Sequence, residues 1–390
     1  MIYTRAKCLH PEFKEFSLLT EAKYEPGSIY WHDQHDVSIR SIEFGNFLDE
    51  SHWEHVRTDP TAKILLFYGD EYFNINDVNW FVNTILARNI NPAQVYLVTI
   101  DENWAQWAEQ MFVERGIIGV NVQGHNVLLG KTKTNIQDTV LGHRYKFSAL
   151  SRNYNKWRLR FFLEMVNRGI ISNFNYTFSN IHPYANPMKV FDKQEIRNES
   201  INFGLFNDNI SNWIDNLPYV LSGDSIVNKW TDYSYFAIKR SDIHILIESH
   251  FDPFMTNFVA RSVYRPDYFS PAFPTEKTYK VMSCKTPFIA YTTPYFLKEL
   301  KKLGYKTFSP WIDESYDNIE DDTIRSSAIA QEIERINNLD TTSYNSLVNH
   351  CRDIAEENYA VLIEKKNNIQ LLDNFSWIKN YMHSNIAYGT

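Results

Sequence analysis

Two adjacent residues of opposite charge, Glu276 and Lys277, follow Thr275 at the predicted start of a helix. Thr is a common N-cap residue, and the first N–H groups of a helix carry a partial positive charge that suits a pyrophosphate. Lys277 could add a full positive charge, and the Glu276 carboxylate could accept hydrogen bonds from the two hydroxyls of a ribose. A capped surface helix with a solvated charge pair fits the same spacing equally well.

A second basic pattern, formed by Arg152 and Arg158, follows a predicted strand. Two guanidinium groups can clamp a diphosphate through their forked N–H donors. Segment 146–200 carries nine Lys and Arg residues against four Asp and Glu residues, although the whole chain has a net charge of −8. The pattern therefore indicates either a diphosphate clamp or a helix with a solvated basic face.

Short apolar strands alternate with amphipathic helices along most of the chain. In the first half, strands are predicted over 61–69 and 94–103 and helices over 75–88 and 104–116. In the second half, strands are predicted over 146–151, 241–249 and 286–291 and helices over 155–169, 278–285, 294–304, 323–338 and 346–369. This alternation is typical of parallel sheets covered by helices, so we expect two α/β domains. The helix that Lys277 opens would then begin at the carboxyl edge of a sheet, where ligands of such sheets bind.

The composition excludes several classes of protein. The 390 residues are 44% hydrophobic, enough for two cores of ordinary size. The net charge of −8 argues against nucleic-acid binding over the whole surface. Three cysteines without a C-x-x-C pair argue against a zinc knuckle or a disulfide framework, and no G-x-G-x-x-G fingerprint is present. Neither a signal peptide nor a bilayer-spanning run is evident, so we expect a soluble cytoplasmic protein.

Carboxylate clusters make a weaker case for a metal site. The stretch 313–317, Asp-Glu-Ser-Tyr-Asp, could hold a sugar, Mg²⁺ or Mn²⁺. Acids that cap a following turn explain it as well, and we favour this second interpretation. No D-x-D occurs in the chain, and the acidic triplet 320–322 lies within an acidic face. The stretch 32–36, His-Asp-Gln-His-Asp, has no evident third ligand. We therefore expect no metal requirement.

The motif around Lys277 resembles the donor-binding motif of the α-1,3-fucosyltransferases. It is still more similar to a group of phage, giant-virus and bacterial glycosyltransferase-like proteins. The matching stretches are Glu-Lys-Thr-Tyr-Lys at 276–280, Pro-Phe-Ile at 287–289, Leu-Gly-Tyr-Lys-Thr-Phe at 303–308 and Asp-Glu-Ser-Tyr-Asp at 313–317. Upstream, Glu248 matches the acidic residue that ends a strand near the donor.

A second stretch, Leu-Ser-Arg-Asn-Tyr-Asn-Lys-Trp-Arg at 150–158, resembles a motif of the same group. Arg152 and Arg158 align with two of its arginines. Asn155 and Trp157 depart from the motif's middle Arg and its His, which leaves those two positions without an implied role. Together the matches span about 146–325, nearly half of the chain.

The resemblance implies the GT-B architecture, in which two Rossmann-like domains face each other across a cleft and the C-terminal helices cross back. On this basis we expect an acceptor domain at 1–145 and a nucleotide-sugar donor domain at 146–360. The final helix, at 361–390, is expected to pack on the N-terminal domain. The first half matches no motif, so the resemblance concerns the donor and not the acceptor.

In the C-terminal domain, the implied donor site uses the matched residues. Lys277, Arg152 and Arg158 would stabilise the leaving pyrophosphate. Glu276 would bind the ribose, and Glu248 and Thr278 would lie beside the donor.

The catalytic base is expected from the N-terminal domain. Asp70 and Glu71 follow its first clear strand, at the edge of the sheet where ligands bind, and are the first candidates. Asp101 and His35 are the second choice.

These expectations define a glycosyltransferase, of the hexosyl or pentosyl type, that moves a sugar from a nucleotide-sugar to a hydroxyl acceptor. The resemblance implies inversion at the anomeric carbon, and a glycan ranks first as acceptor because the chain is acidic. One alternative is a phage-type enzyme that glycosylates a hydroxymethylated base in DNA. A second alternative is a non-catalytic sugar-binding or nucleotide-binding protein with a decayed transferase fold. No tightly bound cofactor is expected.

Overall fold

A computed structural model describes most of the chain as two compact units. The described residues are 2–4, 18–19, 29–33, 50–67, 75–99, 102–124, 132–134, 136, 145–151, 154–179, 181–182, 189–219, 232–248 and 274–368. Those up to residue 124 belong to the first unit, and those from 132 to 365 belong to the second.

The first unit is built on a parallel sheet. Its elements are β1 (Ile2–Thr4), β2 (Leu18–Leu19), β3 (Ile29–Asp33), α1 (Glu50–Thr58), β4 (Lys63–Phe67), α2 (Ile75–Ala87), a 3₁₀ turn (Pro92–Gln94), β5 (Val95–Thr99), α3 (Glu102–Glu114) and β6 (Asn121–Gly124). The six strands lie in the order β2-β1-β3-β4-β5-β6, and all of their pairings are parallel. Apolar side chains of β4, β5 and the helices form its core, among them Ile64, Leu97 and Phe81.

The second unit contains a four-stranded parallel sheet and most of the helices. Its elements are β7 (Tyr145–Ser151), α4 (Lys156–Asn167), a 3₁₀ turn (Ile171–Asn173), β8 (Phe174–Phe178), β9 (Ile181–His182), β10 (Lys189–Val190), α5 (Lys193–Asn202), α6 (Asp208–Asp215), α7 (Asp232–Lys239), β11 (Ser241–Ile247), α8 (Glu276–Ser283), β12 (Phe288–Tyr291), α9 (Phe296–Lys302), a 3₁₀ turn (Ser315–Asn318), α10 (Asp322–Asn337) and α11 (Thr341–Asn368). The strand order is β12-β11-β7-β8, and β9 and β10 form a separate antiparallel pair.

Strands β11 and β12 of this second sheet are buried along almost their whole length. All four residues of β12 are buried, and β11 is buried at every position except Asp242. Near-continuous apolar strands are typical of parallel sheets that carry helices on both faces. Helix α4 contributes a buried run from Arg158 to Val166, so its apolar residues lie in the same core.

Helix ends in the second unit follow from local chemistry. The side chain of Asn155 accepts a hydrogen bond from the backbone N–H of Trp157 at 2.8 Å, which caps the start of α4. Thr275 caps α8 in the same way, accepting from the N–H of Lys277 at 3.2 Å. After α9, Gly304 has a φ of +84°, a left-handed conformation that glycine adopts without a steric penalty and that ends the helix.

A buried polar pair joins β7 to β11 inside the second sheet. Ser148 and His244 are register partners, and the Ser148 hydroxyl lies 2.8 Å from Nδ1 of His244. The same hydroxyl lies 2.7 Å from that of Ser241, which donates to the carbonyl of Ile238 at 2.7 Å. Burial, with a smaller contribution from the positive charge of Lys280, lowers the pKa of His244 to about 3. This histidine is therefore a neutral core residue.

The α/β class predicted from the sequence is confirmed, because each unit contains a parallel sheet and covering helices. The strands and helices predicted from apolar periodicity are present, with ends that differ by a few residues. The periodicity did not locate the strands β1, β2, β3, β6, β8, β9 and β10 or the helices α1, α5, α6 and α7. Among these, β8 was missed because Asn175 and Thr177 alternate with its aromatic residues in a stretch rich in Asn and Ser. Of the expected C-terminal segment 361–390, only 361–368 is described, as the end of α11. The boundaries at 145 and 360 stay predictions.

The neutral state of His244 predicts an acid-dependent loss of stability. The unfolded chain binds a proton at this residue below its ordinary pKa of about 6.5, whereas the folded protein does not until about pH 3. Stability from this group is therefore complete above about pH 6.5 and decreases as the pH falls towards 3. Between pH 7 and pH 5, urea unfolding should show a loss of about 2 kcal/mol in the wild type that His244→Asn does not show. Identical pH dependences of the two proteins would contradict a buried neutral histidine.

Candidate functional site

The strand order of the second unit contains a switch point between β7 and β11. From β7 the chain passes to β8 on one side, and it later returns to add β11 and β12 on the other side. In open parallel sheets, the crevice at the carboxyl ends of two such strands is where ligands bind. Here β7 ends at Ser151 and β11 ends at Ile247, so the next residue after β11, Glu248, lies at this edge.

Glu248 is held by the start of α8. One carboxylate oxygen accepts hydrogen bonds from the backbone N–H of Thr275 at 3.3 Å and from the Thr278 hydroxyl at 2.7 Å. The other accepts from the Thr275 hydroxyl at 2.6 Å. Only 3% of the Glu248 side chain is exposed. These contacts fix the N-terminal turn of α8 against the carboxyl end of β11.

Lys277 lies between two carboxylates in that turn. Its Nζ is 2.9 Å from Oε1 of Glu276 and 3.6 Å from Oε2 of Glu248. The side chains of Lys277 and Glu276 are each a little over a quarter exposed, at 28% and 27%, whereas Glu248 is buried. Solvent can therefore reach the side chains of Lys277 and Glu276, whereas protein atoms cover Glu248.

The pKa shifts at this pair follow from opposing influences. Burial acts most strongly on the Lys277 ammonium and favours its neutral form, but the carboxylates of Glu276 and Glu248 outweigh it and raise its pKa. For Glu276, burial again is the largest influence and favours the neutral acid. The charge and hydrogen bond of Lys277 overcome it, with smaller help from backbone and Thr275 contacts, and lower the pKa. Both groups are therefore ionised at neutral pH.

Arg158 brings a second positive charge to the same edge. It lies in the first turn of α4, three residues after the Asn155 cap, and only 7% of its surface is exposed. The guanidinium is close enough to Lys277 for its charge to lower the pKa of that ammonium, although the carboxylates prevail. The starts of α4 and α8 thus place a guanidinium and an ammonium near each other at the carboxyl edge of one sheet.

This arrangement can bind an anion, and a carboxylate beside the anion site can accept hydrogen bonds from hydroxyl groups. The partly exposed Lys277 side chain and the first N–H groups of α8 can attract phosphate oxygens. Glu276 can accept hydrogen bonds from hydroxyl groups of the same ligand. The hydroxyl of Thr278 is fully buried and donates to Glu248, so its role in the free protein is to orient that carboxylate.

The predicted site residues divide into two groups. The structure brings Arg158, Glu248, Glu276, Lys277 and Thr278 together at the edge of the second sheet. The remaining candidates lie outside the described residues: Arg152, Asp70, Glu71, Asp101 and His35.

Sequence reasoning missed the partners of Glu248. Thr275 was predicted as a helix cap, but not as a donor to a carboxylate 27 residues upstream. The signal that could have indicated it is the spacing of Thr275 and Thr278, because residues three apart lie on the same face of a helix. Two hydroxyls on one face next to a buried strand end need an acceptor.

The acids of segment 313–317 bind backbone N–H groups. Asp317 accepts from Leu297 at 3.0 Å and from Lys298 at 3.2 Å, which caps the start of α9. Asp313 caps the following turn by accepting from the N–H of Ser315 at 3.0 Å. Capping is therefore the observed role of both aspartates. Within the described ranges, no three His, Cys, Asp or Glu side chains are grouped as metal ligands.

None of the described helices combines the length and the apolar character needed to cross a bilayer. No protein-family model and no curated protein matches the chain.

Solved structures with some overall likeness include two trehalose-phosphate synthases and one related domain. The UDP-forming α,α-trehalose-phosphate synthase from Burkholderia vietnamiensis matches with a TM-score of 0.44 and 10% identity, covering 88% of this chain and 74% of that one. The enzyme from Burkholderia xenovorans matches with a TM-score of 0.41, 10% identity and coverages of 88% and 75%. The N-terminal domain of the Candida albicans trehalose-6-phosphate phosphatase matches with a TM-score of 0.39, 11% identity and coverages of 89% and 71%. At these scores the likeness identifies neither a substrate nor a reaction.

The buried hydrogen bond between Thr278 and Glu248 should be measurable as stability. Thr278→Val has nearly the same volume but leaves one lone pair of a buried carboxylate without its donor, whereas Thr278→Ser keeps the hydroxyl. We expect Thr278→Val to lower the free energy of unfolding by about 1–3 kcal/mol relative to Thr278→Ser. Urea unfolding at pH 7 measures the difference. Equal stabilities would mean that this hydrogen bond is not formed in solution.

Proposed function

We propose that this protein is a glycosyltransferase that moves a sugar from a nucleotide-sugar donor to a hydroxyl acceptor. The observation that carries the proposal is the convergence of Arg158, Lys277 and Glu276 at the carboxyl edge of a parallel sheet, next to its switch point. The donor would bind in the second unit, with its diphosphate at the start of α8 and its ribose at Glu276. Arg152 would complete the positive charge around the diphosphate.

The charges fit the electronic demand of glycosyl transfer. The acceptor oxygen forms a bond to the anomeric carbon while the bond from that carbon to a phosphate oxygen breaks, and the nucleotide leaves with the bonding electrons. Negative charge therefore develops on phosphate oxygens in the transition state. Lys277 and Arg158 would stabilise that charge, since preorganised cations near a leaving group lower the barrier.

The acceptor proton needs a base, which we propose comes from the first unit. Asp70 and Glu71 follow β4 in the sequence and are the candidates for it. Inversion at the anomeric carbon is proposed with this arrangement, because the base would then deprotonate the acceptor on the face opposite the leaving group.

For the acceptor we propose a glycan hydroxyl, and for the chain as a whole the GT-B arrangement of acceptor and donor domains. The net charge of −8 supports a glycan over DNA, because a DNA enzyme needs enough positive charge to neutralise several phosphates. The nucleotide base of the donor is left to experiment.

A ligand screen tests the donor site directly. The wild-type protein is heated with GDP, UDP, CMP and their common sugar conjugates, with and without Mn²⁺. A ligand that binds only the folded protein raises the melting temperature. We expect one nucleotide to do so, and we expect Lys277→Ala to weaken its affinity at least about tenfold because a charge-assisted contact to phosphate is lost.

Lys302→Ala provides the matched control. Lys302 lies at the end of α9 in the same unit, its side chain is 56% exposed, and it pairs with Glu299 at 2.7 Å. Its removal deletes the same charge and should leave nucleotide affinity unchanged. The donor-site proposal fails if none of these ligands shifts the melting temperature, or if both lysine variants lose affinity equally.

A further inference from the structure

The two carboxylates of the candidate donor site differ in their capacity to bind a ligand. A carboxylate has about four lone-pair positions. At Glu248, protein donors fill three of them: the N–H and the hydroxyl of Thr275 and the hydroxyl of Thr278. The ammonium of Lys277 adds an ion pair at 3.6 Å. With 3% of its side chain exposed, Glu248 can neither gain a ligand hydroxyl nor reach one without breaking these contacts.

Glu276 has the opposite character. Its contact with Lys277 at 2.9 Å lies at the surface, where 27% of its side chain is exposed. An arriving phosphate can therefore replace Glu276 as the partner of Lys277, and Glu276 can turn to hydroxyl groups of the same ligand. Throughout such an exchange Glu248 would keep its three hydrogen bonds to α8.

We infer that Glu248 is a positioning residue that holds the start of α8 and the Lys277 ammonium in place without contacting the donor, and that Glu276, not Glu248, accepts hydrogen bonds from the ribose. This inference rests on the proposed function and refines it. It gives Glu248, which the resemblance placed only beside the donor, a defined role. It also makes Thr275 and Thr278 part of the same support.

The inference predicts different ligand dependences for the two glutamates. Inorganic pyrophosphate has the phosphates of a nucleoside diphosphate but no ribose. A change that disturbs only the position of α8 and Lys277 should alter the affinities for both ligands by the same factor. A change that removes a ribose contact should weaken the nucleoside diphosphate alone.

The experiment measures dissociation constants of the full-length protein by calorimetry, with pyrophosphate and with the nucleoside diphosphate that the wild type binds best. Glu248→Gln and Thr278→Val should each leave the ratio of the two dissociation constants within about twofold of the wild-type ratio. Glu276→Gln should change that ratio about tenfold, as expected for the loss of a charged hydrogen-bond acceptor. Thr278→Val changes no charge. If Glu248→Gln fails to fold, Thr278→Val still tests whether the hydrogen bonds to Glu248 position the start of α8. Thr278→Ser, which keeps the hydroxyl, should restore both affinities.

A second measurement does not depend on donor binding. Among the described residues, the charged groups that act on the Lys277 ammonium include Glu276 on its own helix, Glu248 after β11 and Arg158 on α4. Titration of the Lys277 ε-carbon signal by NMR, assigned with Lys277→Arg, should show a lower pKa in Glu248→Gln than in the wild type. The carboxylate that favours the charged amine has been removed, so the protonated form persists over a narrower pH range. Lys302→Ala should leave the titration unchanged.

Two results would overturn the inference. One is a loss of nucleoside diphosphate affinity in Glu248→Gln at least tenfold larger than its loss of pyrophosphate affinity, which would assign the ribose to Glu248. The other is an unchanged Lys277 titration in that variant, which would show that Glu248 does not hold the amine. If the wild type binds neither ligand, the proposed donor site is wrong, and a lowered Lys277 pKa would still establish the contact on which the positioning role depends.

Discussion

The burial of the Glu248 carboxylate is the constraint around which the candidate site is arranged. A carboxylate removed from water costs several kcal/mol unless hydrogen bonds and an opposite charge compensate it. Here the compensation comes from one helix turn, through Thr275, Thr278 and Lys277. The chemistry of one side chain thus joins the end of a strand to the start of a helix 28 residues later in the chain. The position of the Lys277 ammonium is a consequence of that junction.

The sheet beneath supplies the second part of the arrangement. Because β11 pairs with β7, the carboxyl end of β7 is adjacent to that of β11, which Glu248 follows. The next described helix, α4, carries Arg158 in its first turn. The buried contact between Ser148 and His244 joins the same two strands. A phosphate at this edge would meet a guanidinium, an ammonium and the N–H groups of a helix start. These groups are held by a parallel sheet in which β11 is buried at every position except Asp242.

Acidic residues in this unit take different roles because their donors differ. Glu248 and Asp317 are buried and accept hydrogen bonds from helix starts, so they act within the fold. Glu276 is partly exposed and forms an ion pair with Lys277, which solvent can also reach. Residue type alone predicts an acceptor in each case. Burial and the direction of neighbouring donors decide whether that carboxylate accepts hydrogen bonds from protein groups or is available to a ligand.

The sequence by itself determined part of the elements and predicted the chemical type of the site. Apolar periodicity predicted β4, β5, α2 and α3 in the first unit and β7, β11, β12, α4 and α8 to α11 in the second. The Thr275 cap with Glu276 and Lys277 predicted a charged helix start at a sheet edge. Those features are local, because they depend on residues a few positions apart. The resemblance grouped Glu248 and Arg158 with that helix start, but only the tertiary structure decided how they meet it, since the strand order brings together segments about 90 and 120 residues apart. It also decided which glutamate is buried, because exposure depends on what packs against a side chain and not on its neighbours in the sequence.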